Sequence, residues 1–164
     1  APGGQEFRTV TEDSQGQLWI TTLTGVVRAD LSQSPPKATH YALSDGLPDG
    51  WKNVYQAGGR LGIATEQGLR RFDEASRRFV PETEFGPTFA DGGLGALIVR
   101  DDPLGRVWIS GSGYHGFLAR TASGSPWMWN PMALLPLGLD EFWAVQVESQ
   151  GVVWASSQIG RAHV

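Results

Sequence analysis

Gly111-Ser112-Gly113-Tyr114-His115-Gly116 has the glycine spacing that cradles a dinucleotide pyrophosphate, and it directly follows the apolar run Val107-Trp108-Ile109. Holding pyrophosphate there requires a helix whose first amides face the phosphates. The residues that follow, FLARTASGSPW, have no 3.6-residue period and carry Pro126, so no helix and no nucleotide cofactor are expected. The adjacent acids Glu12-Asp13, Asp101-Asp102 and Asp140-Glu141 have the composition of a general acid–base pair. The first two pairs fall at the same place in two similar hairpin segments, where turn formation accounts for them. His40, His115 and His163 are scattered without metal-ligand spacing, and His115, flanked by turn residues, is expected in an exposed loop. The chain has no cysteine, hence no thiol nucleophile and no disulfide, and no Gly-x-Ser-x-Gly elbow. The expectation is a chain without catalytic residues, cofactor or metal site.

The glycines make sense as punctuation of a repeat. EDSQGQLWITT, YQAGGRLGIAT, RDDPLGRVWISG and VESQGVVWASS align on Gly16, Gly59, Gly105 and Gly151, which are separated by 43, 46 and 46 residues. Three residues past each glycine stand Trp19, Gly62, Trp108 and Trp154, and six before it stand Val10, Asn53, Val99 and Val145. In the second copy Val54 shows a one-residue slip. A second glycine follows in each copy, at Gly25, Gly68, Gly116 and Gly160. A period of this length marks stacked structural units.

Asp102-Pro103-Leu104-Gly105 has the residues of a type I turn, and Asp13-Ser14-Gln15-Gly16 is the same turn without the proline. The runs LWI, VWI and VVW that follow are apolar on both faces, as in strands covered on both sides. A third strand is expected after the second glycine, and a looser outer strand at Thr39–Leu43 and Arg78–Pro81. The predicted architecture is all-β: a β-propeller fragment of about three and a half four-stranded antiparallel blades. The blades are placed at about 7–43, 53–83, 96–130 and 143–158. A β-sandwich would instead alternate polar and apolar positions, which Leu18-Trp19-Ile20 does not.

The pattern acid-x-x-Gly-x-Leu-Trp-Ile, then Gly-Val/Leu and an aromatic-Asp pair such as Phe72-Asp73, resembles the two-component regulator propeller repeat. The linker LSDGLPDGWKNV carries Asp45-Gly46-Leu47-Pro48, the tetrad that leads into the next blade in that family. The resemblance is good over residues 7–73 and weaker over 96–157. Gly62 departs from the expected tryptophan, and no Gly-Leu-Pro precedes the third or fourth copy. Other propellers match less well: Asp13 and Asp102 lie three residues before their glycines rather than two as in a sialidase Asp-box, and no Trp-Asp dipeptide closes a blade. The resemblance implies the extracytoplasmic, periplasmic sensor part of a bacterial membrane receptor whose output is a histidine kinase, often a hybrid, or a diguanylate cyclase. It further implies an oligosaccharide or other small extracellular molecule as ligand, and a dimer in the full receptor. The other readings are a propeller-fold lyase or glycosidase, and a protein-interaction scaffold.

Trp19, Trp108 and Trp154 keep the period and are expected to pack between blades, whereas Trp51, Trp127, Trp129 and Trp143 break it and are assigned to connecting segments. Propeller ligands enter at the face where the innermost strands begin. The candidate binding set there is Trp51, Lys52, Asn53, Tyr114, His115, Glu141 and Trp143, aromatic groups beside polar ones. The periodic Gly16, Gly25, Gly59, Gly68, Gly105 and Gly151 are read as structural. Thirteen Lys and Arg against seventeen Asp and Glu leave a net charge of −4, which argues against nucleic acid as partner. The longest apolar runs are a few residues, too short to span a membrane as helices. Four copies are too few to close a ring, so the remaining blades of the same propeller are expected partners, and the chain alone is expected to associate. The final IGRAHV (159–164) leaves the register after Gly160 and reads like adapter-derived sequence.

Overall fold

The computed structural model describes residues 7–90, 94–96, 98–111, 114–132 and 142–157, without the side chains of residues 142–144, 155 and 157. Strands β1 (Phe7–Glu12), β2 (Gln17–Thr22), β3 (Val26–Asp30) and β4 (Lys37–Tyr41) form a first sheet. The second sheet holds β5 (Lys52–Ala57), β6 (Arg60–Thr65), β7 (Gly68–Asp73) and β8 (Arg78–Pro81). The third holds β9 (Ile98–Asp101), β10 (Val107–Gly111), β11 (Tyr114–Ala119) and β12 (Met128–Pro131), and β13 (Phe142–Val147) pairs with β14 (Val153–Ser157). Within each sheet every strand pairs antiparallel with its neighbour in the chain. The first strands β1, β5, β9 and β13 lie next to one another. The sheets therefore stack as blades of a β-propeller fragment, with these strands innermost.

Register repeats with the sequence. Val10 lies opposite Ile20, Val54 opposite Ile63, Val99 opposite Ile109 and Val145 opposite Ala155. The slip at Val54 has a simple origin in the turn. Ala57 and Arg60 flank a two-residue loop, Gly58-Gly59, with φ of 61° and 74°, the left-handed pair that a tight hairpin demands.

The other three hairpins are built on an acid. In the third sheet Asp102 Oδ1 accepts the Leu104 and Arg106 amides at 2.8 and 3.0 Å, and Oδ2 accepts the Trp108 indole N–H at 2.8 Å. Asp13 does the same for Gln15, Gln17 and Trp19 at 2.9, 2.9 and 2.7 Å. In the fourth copy Glu148 accepts the Trp154 indole at 2.7 Å. Asp13 and Asp102 close the turn with one oxygen and aim the indole with the other, whereas the Glu148 side chain holds the indole alone. The Asp102 carboxylate accepts four hydrogen bonds and the Asp13 carboxylate three, so the turns account for both acids.

Each seam between sheets is a hydrophobic layer. Trp19, Val26 and Tyr41 of the first sheet meet Val54, Ile63 and Phe79 of the second, with Leu47 from the linker. Leu47 arrives there because Leu43–Asp45 makes a single 3-10 turn, and Gly46 then reverses the chain at φ 89°. A side chain at Gly46 would meet the Phe79 carbonyl oxygen at 2.1 Å, so the Asp-Gly-Leu-Pro tetrad clips one blade to the next. Trp108 packs on Val145 and Val147 in the last seam. Trp19 and Trp108 are each 2% exposed, whereas Trp154 is 62% exposed. Trp154 thus departs from its expected packing: its face of the sheet points away from β9–β12, and no described residue covers it.

Two further expectations are corrected. Trp129 and Trp143 belong to strands β12 and β13 rather than to connecting segments. His115 is not in an exposed loop: it lies in β11, 6% exposed, with Nδ1 2.9 Å from Ser110 Oγ across the hairpin. Ser110 lies opposite His115 in the β10–β11 ladder, so the strand already includes it.

Candidate binding cleft at the entry end

The inner strands enter the sheets at the same end as the β2–β3 and β6–β7 turns. There the linker Pro48–Trp51 meets β1 and the β2–β3 turn, enclosing a cleft of about 260 Å³ lined by Arg8, Thr22, Leu23, Asp49, Gly50, Trp51 and Lys52. Trp51 is half-buried and Leu23 is exposed at its rim. Lys52 opens β5, is 3% exposed, and donates from Nζ to the Gly50 carbonyl at 2.7 Å. Burial pushes its ammonium below the ordinary lysine range, while the carboxylates of Asp49 and Glu66 oppose that shift. Asp49 Oδ1 is held by the Gly50 amide at 2.8 Å. Asn53, next along β5, pairs with Ala64. The cleft offers an indole face, a leucine, a carboxylate and two cations, groups whose chemistry suits stacking and hydrogen bonding.

The remaining expected members do not join it. Tyr114 is spent on structure: its hydroxyl donates to the Gly95 carbonyl oxygen, and its ring lies 6.2 Å from Phe89 and 6.3 Å from Trp129. Burial pushes its phenol pKa up. His115 faces Ser110 inside the third sheet. Glu141 and the Trp143 side chain lie outside the described residues.

The off-period indoles are also accounted for. Trp127 has the Arg120 guanidinium 4.0 Å over its ring and Phe85 edge-on at 5.6 Å. Trp129 stands edge-on to Phe89 at 4.8 Å and covers Gly116, where a Cβ would come within 2.8 Å of its ring. Trp127 also borders an open cleft of about 440 Å³ with Asp101, Asp102 and Arg120, but its ring is overlaid by Arg120 and Phe85, whereas no described aromatic ring or cation stacks on Trp51 in the entry cleft. Of the expected set, Trp51 and Lys52 line this cleft with Asp49 of the same linker, and Asn53 is not among its lining residues. Arg8, Thr22 and Leu23 were not expected; their only signal is position, at the start of an inner strand and around the β2–β3 turn. No group of three or more His, Cys, Asp or Glu among the described residues can hold a metal ion. No described helix is long and apolar enough to cross a membrane.

No family model matches the chain, and no curated protein matches it in sequence. Solved structures do. The extracellular domain assigned to a one-component system, BT4673 of B. thetaiotaomicron, superposes with a TM-score of 0.68 at 20% identity, covering 94% of this chain and 22% of that one. A second structure of the BT4673 extracellular domain, assigned to a hybrid two-component system, gives 0.67 and 19%, over 94% of this chain and 22% of that one. The extracellular domain of the hybrid two-component system BT3049 from the same organism gives 0.60 and 19%, over 92% and 20%. The chain thus spans about a fifth of the length of these structures. Over that span it has the fold of extracellular domains from bacterial one- and two-component systems.

Proposed function

We propose that the chain is part of the ligand-binding sensor propeller of a bacterial two-component receptor of the regulator-propeller family. In this reading it lies on the periplasmic side of the inner membrane, pairs with a second receptor copy, and reports an oligosaccharide or other small extracellular molecule without transforming it. The observation that carries the reading is the shared fold with extracellular two-component domains over 94% of the chain. The entry cleft adds a place for the ligand, with Trp51 as stacking surface and Lys52 and Asp49 as polar anchors. The acids that could suggest a lyase or glycosidase, Asp13 and Asp102, are consumed by their turns.

A glycan array with product analysis tests this. Binding of a saccharide without turnover, weakened about tenfold or more by Trp51→Ala while the thermal unfolding midpoint holds, is the expected result, since base or sugar stacking on an indole is worth roughly 1–3 kcal/mol. Turnover of a bound saccharide, or binding untouched by Trp51→Ala, overturns it.

A further inference from the structure

A second cleft lies on the outer flank of the first seam, away from the entry end. It has a volume of about 350 Å³ and is lined by residues of β2, β3 and β4 together with Glu74 and Arg77 of the β7–β8 turn. Three of the thirteen cations of this acidic chain, Arg28, Lys37 and Arg77, gather there with two carboxylates, Asp30 and Glu74.

The carboxylates are already engaged. Glu74 receives the Arg28 guanidinium at 2.9 and 3.2 Å. Arg28 also bonds Gln17 and lies 4.9 Å over the Trp19 ring, so its own donors are committed to the seam. Asp30 accepts the Ser32 backbone amide and hydroxyl at 3.0 and 2.6 Å and the Gln33 side-chain Nε2 at 2.7 Å. Lys37 and Arg77, by contrast, have no ion pair within 4.0 Å among the described residues. Behind them Tyr41, 5% exposed, forms the floor.

Arg77 holds its place at a cost. Its φ is 54°, the left-handed region that glycine occupies in the β1–β2 and β9–β10 turns at Gly16 and Gly105, with φ of 75° and 74°. Glycine would adopt this conformation with less strain.

We propose that this flank cleft binds an oxyanion, a carboxylate or sulfate, through Lys37 and Arg77, with the Tyr41 ring as its floor. Both carboxylates line the cleft, but Arg28 pairs with Glu74, and the serine and glutamine of the β3–β4 loop occupy Asp30, which lies opposite Lys37 across the β3–β4 ladder. The space admits one ring-sized molecule bearing the anion, or a free ion.

Arg77→Gly is the decisive variant, because it removes the cation while relaxing the backbone and so keeps the fold. Calorimetric titration of the protein with glucuronate, glucose and inorganic sulfate reads the outcome. Glucuronate is expected to bind and glucose not, with affinity falling about fivefold to tenfold in Arg77→Gly and in Lys37→Met, the loss of one charge-assisted hydrogen bond each. Sulfate matching glucuronate assigns the cleft to a free ion, and glucuronate exceeding sulfate assigns it to an organic anion. Equal binding of glucuronate and glucose, no binding of any probe, or loss of binding in Trp51→Ala rather than in Arg77→Gly overturns the proposal. Because Trp51 lies in the entry cleft, failure here leaves the sensor reading untouched.

Discussion

The seam between the first and second sheets and the seam between the second and third solve one problem in two ways. The first follows the template: an acid-held indole, Trp19, lies flat between sheets, stacked on Tyr41 and edge-on to Phe72 and Phe79. In the second sheet both parts of the template are gone, with Gly62 in the tryptophan position and Gly58-Gly59 in place of the acidic turn. The aromatic ring has moved one strand over. Tyr55 is the cross-strand partner of Gly62, and a Cβ at 62 would stand 2.4 Å from its hydroxyl. Phe85 and Phe89 from the long linker, with Trp127 from the segment before β12 and Trp129 from β12 itself, complete the layer. The lesson is that a repeat preserves the volume between blades more faithfully than it preserves the residue that fills it.

Removing an indole separates burial from local bonding most sharply. Trp108→Ala should cost about 3–5 kcal/mol in chemical denaturation, as for other buried aromatic truncations. Trp154→Ala breaks the same kind of indole–acid bond without a packed seam and should cost less than about 1.5 kcal/mol. Similar losses at the two sites would show that the hydrogen bond, and not the seam, carries the stability.

Restoring the template tests the compensation. Gly62→Trp alone should destabilise by about 3 kcal/mol, because the new side chain collides with Tyr55 and with the Arg70 carbonyl at 2.7 Å. Combining it with Tyr55→Thr should recover at least about 1 kcal/mol relative to the sum of the single variants. Strict additivity in that cycle would mean that the two positions do not share one space.

The smallest effect belongs to the acid. Burial pushes the Asp102 carboxyl up, but the Arg106 amide, the Trp108 indole, the Arg106 side chain and the Leu104 amide together pull it below the ordinary carboxylate range. A group lowered in the folded state stabilises it above its unfolded pKa near ~3.9, and that stability is lost as pH falls through the lower folded value. Asp102→Asn should cost about 1–2 kcal/mol at neutral pH and flatten the loss of stability below about pH 4. An unchanged acid limb in urea titrations would remove this role from Asp102.

Much of this was legible in the residues. The spacing of Gly16, Gly105 and Gly151 with their tryptophans gives the hairpins, and Val54 betrays the shorter second turn. The Asp45–Pro48 tetrad gives the passage between blades. The compensation around Gly62 was not legible, because Tyr55 becomes its partner only through cross-strand register, and Phe85, Phe89 and Trp127 reach the seam from unrepeated segments. His115 misled because the neighbouring glycines suggested a loop, whereas Gly116 lies in β11, between β10 and β12, where Trp129 stands against it. At the entry end, Trp51 and Lys52 were visible by type. Arg8 and Leu23 come to them only when the strands are stacked.

Trp154 holds its bond to Glu148 while 62% of it faces solvent. Its ring is oriented by its own hairpin and does not wait for a neighbour to press it into place. A surface that arrives against this sheet meets a side chain whose rotational freedom is already spent, so docking forfeits little entropy there and can proceed without rearrangement. The turn acid is in that sense an assembly device: it sets each edge in advance for whatever closes over it.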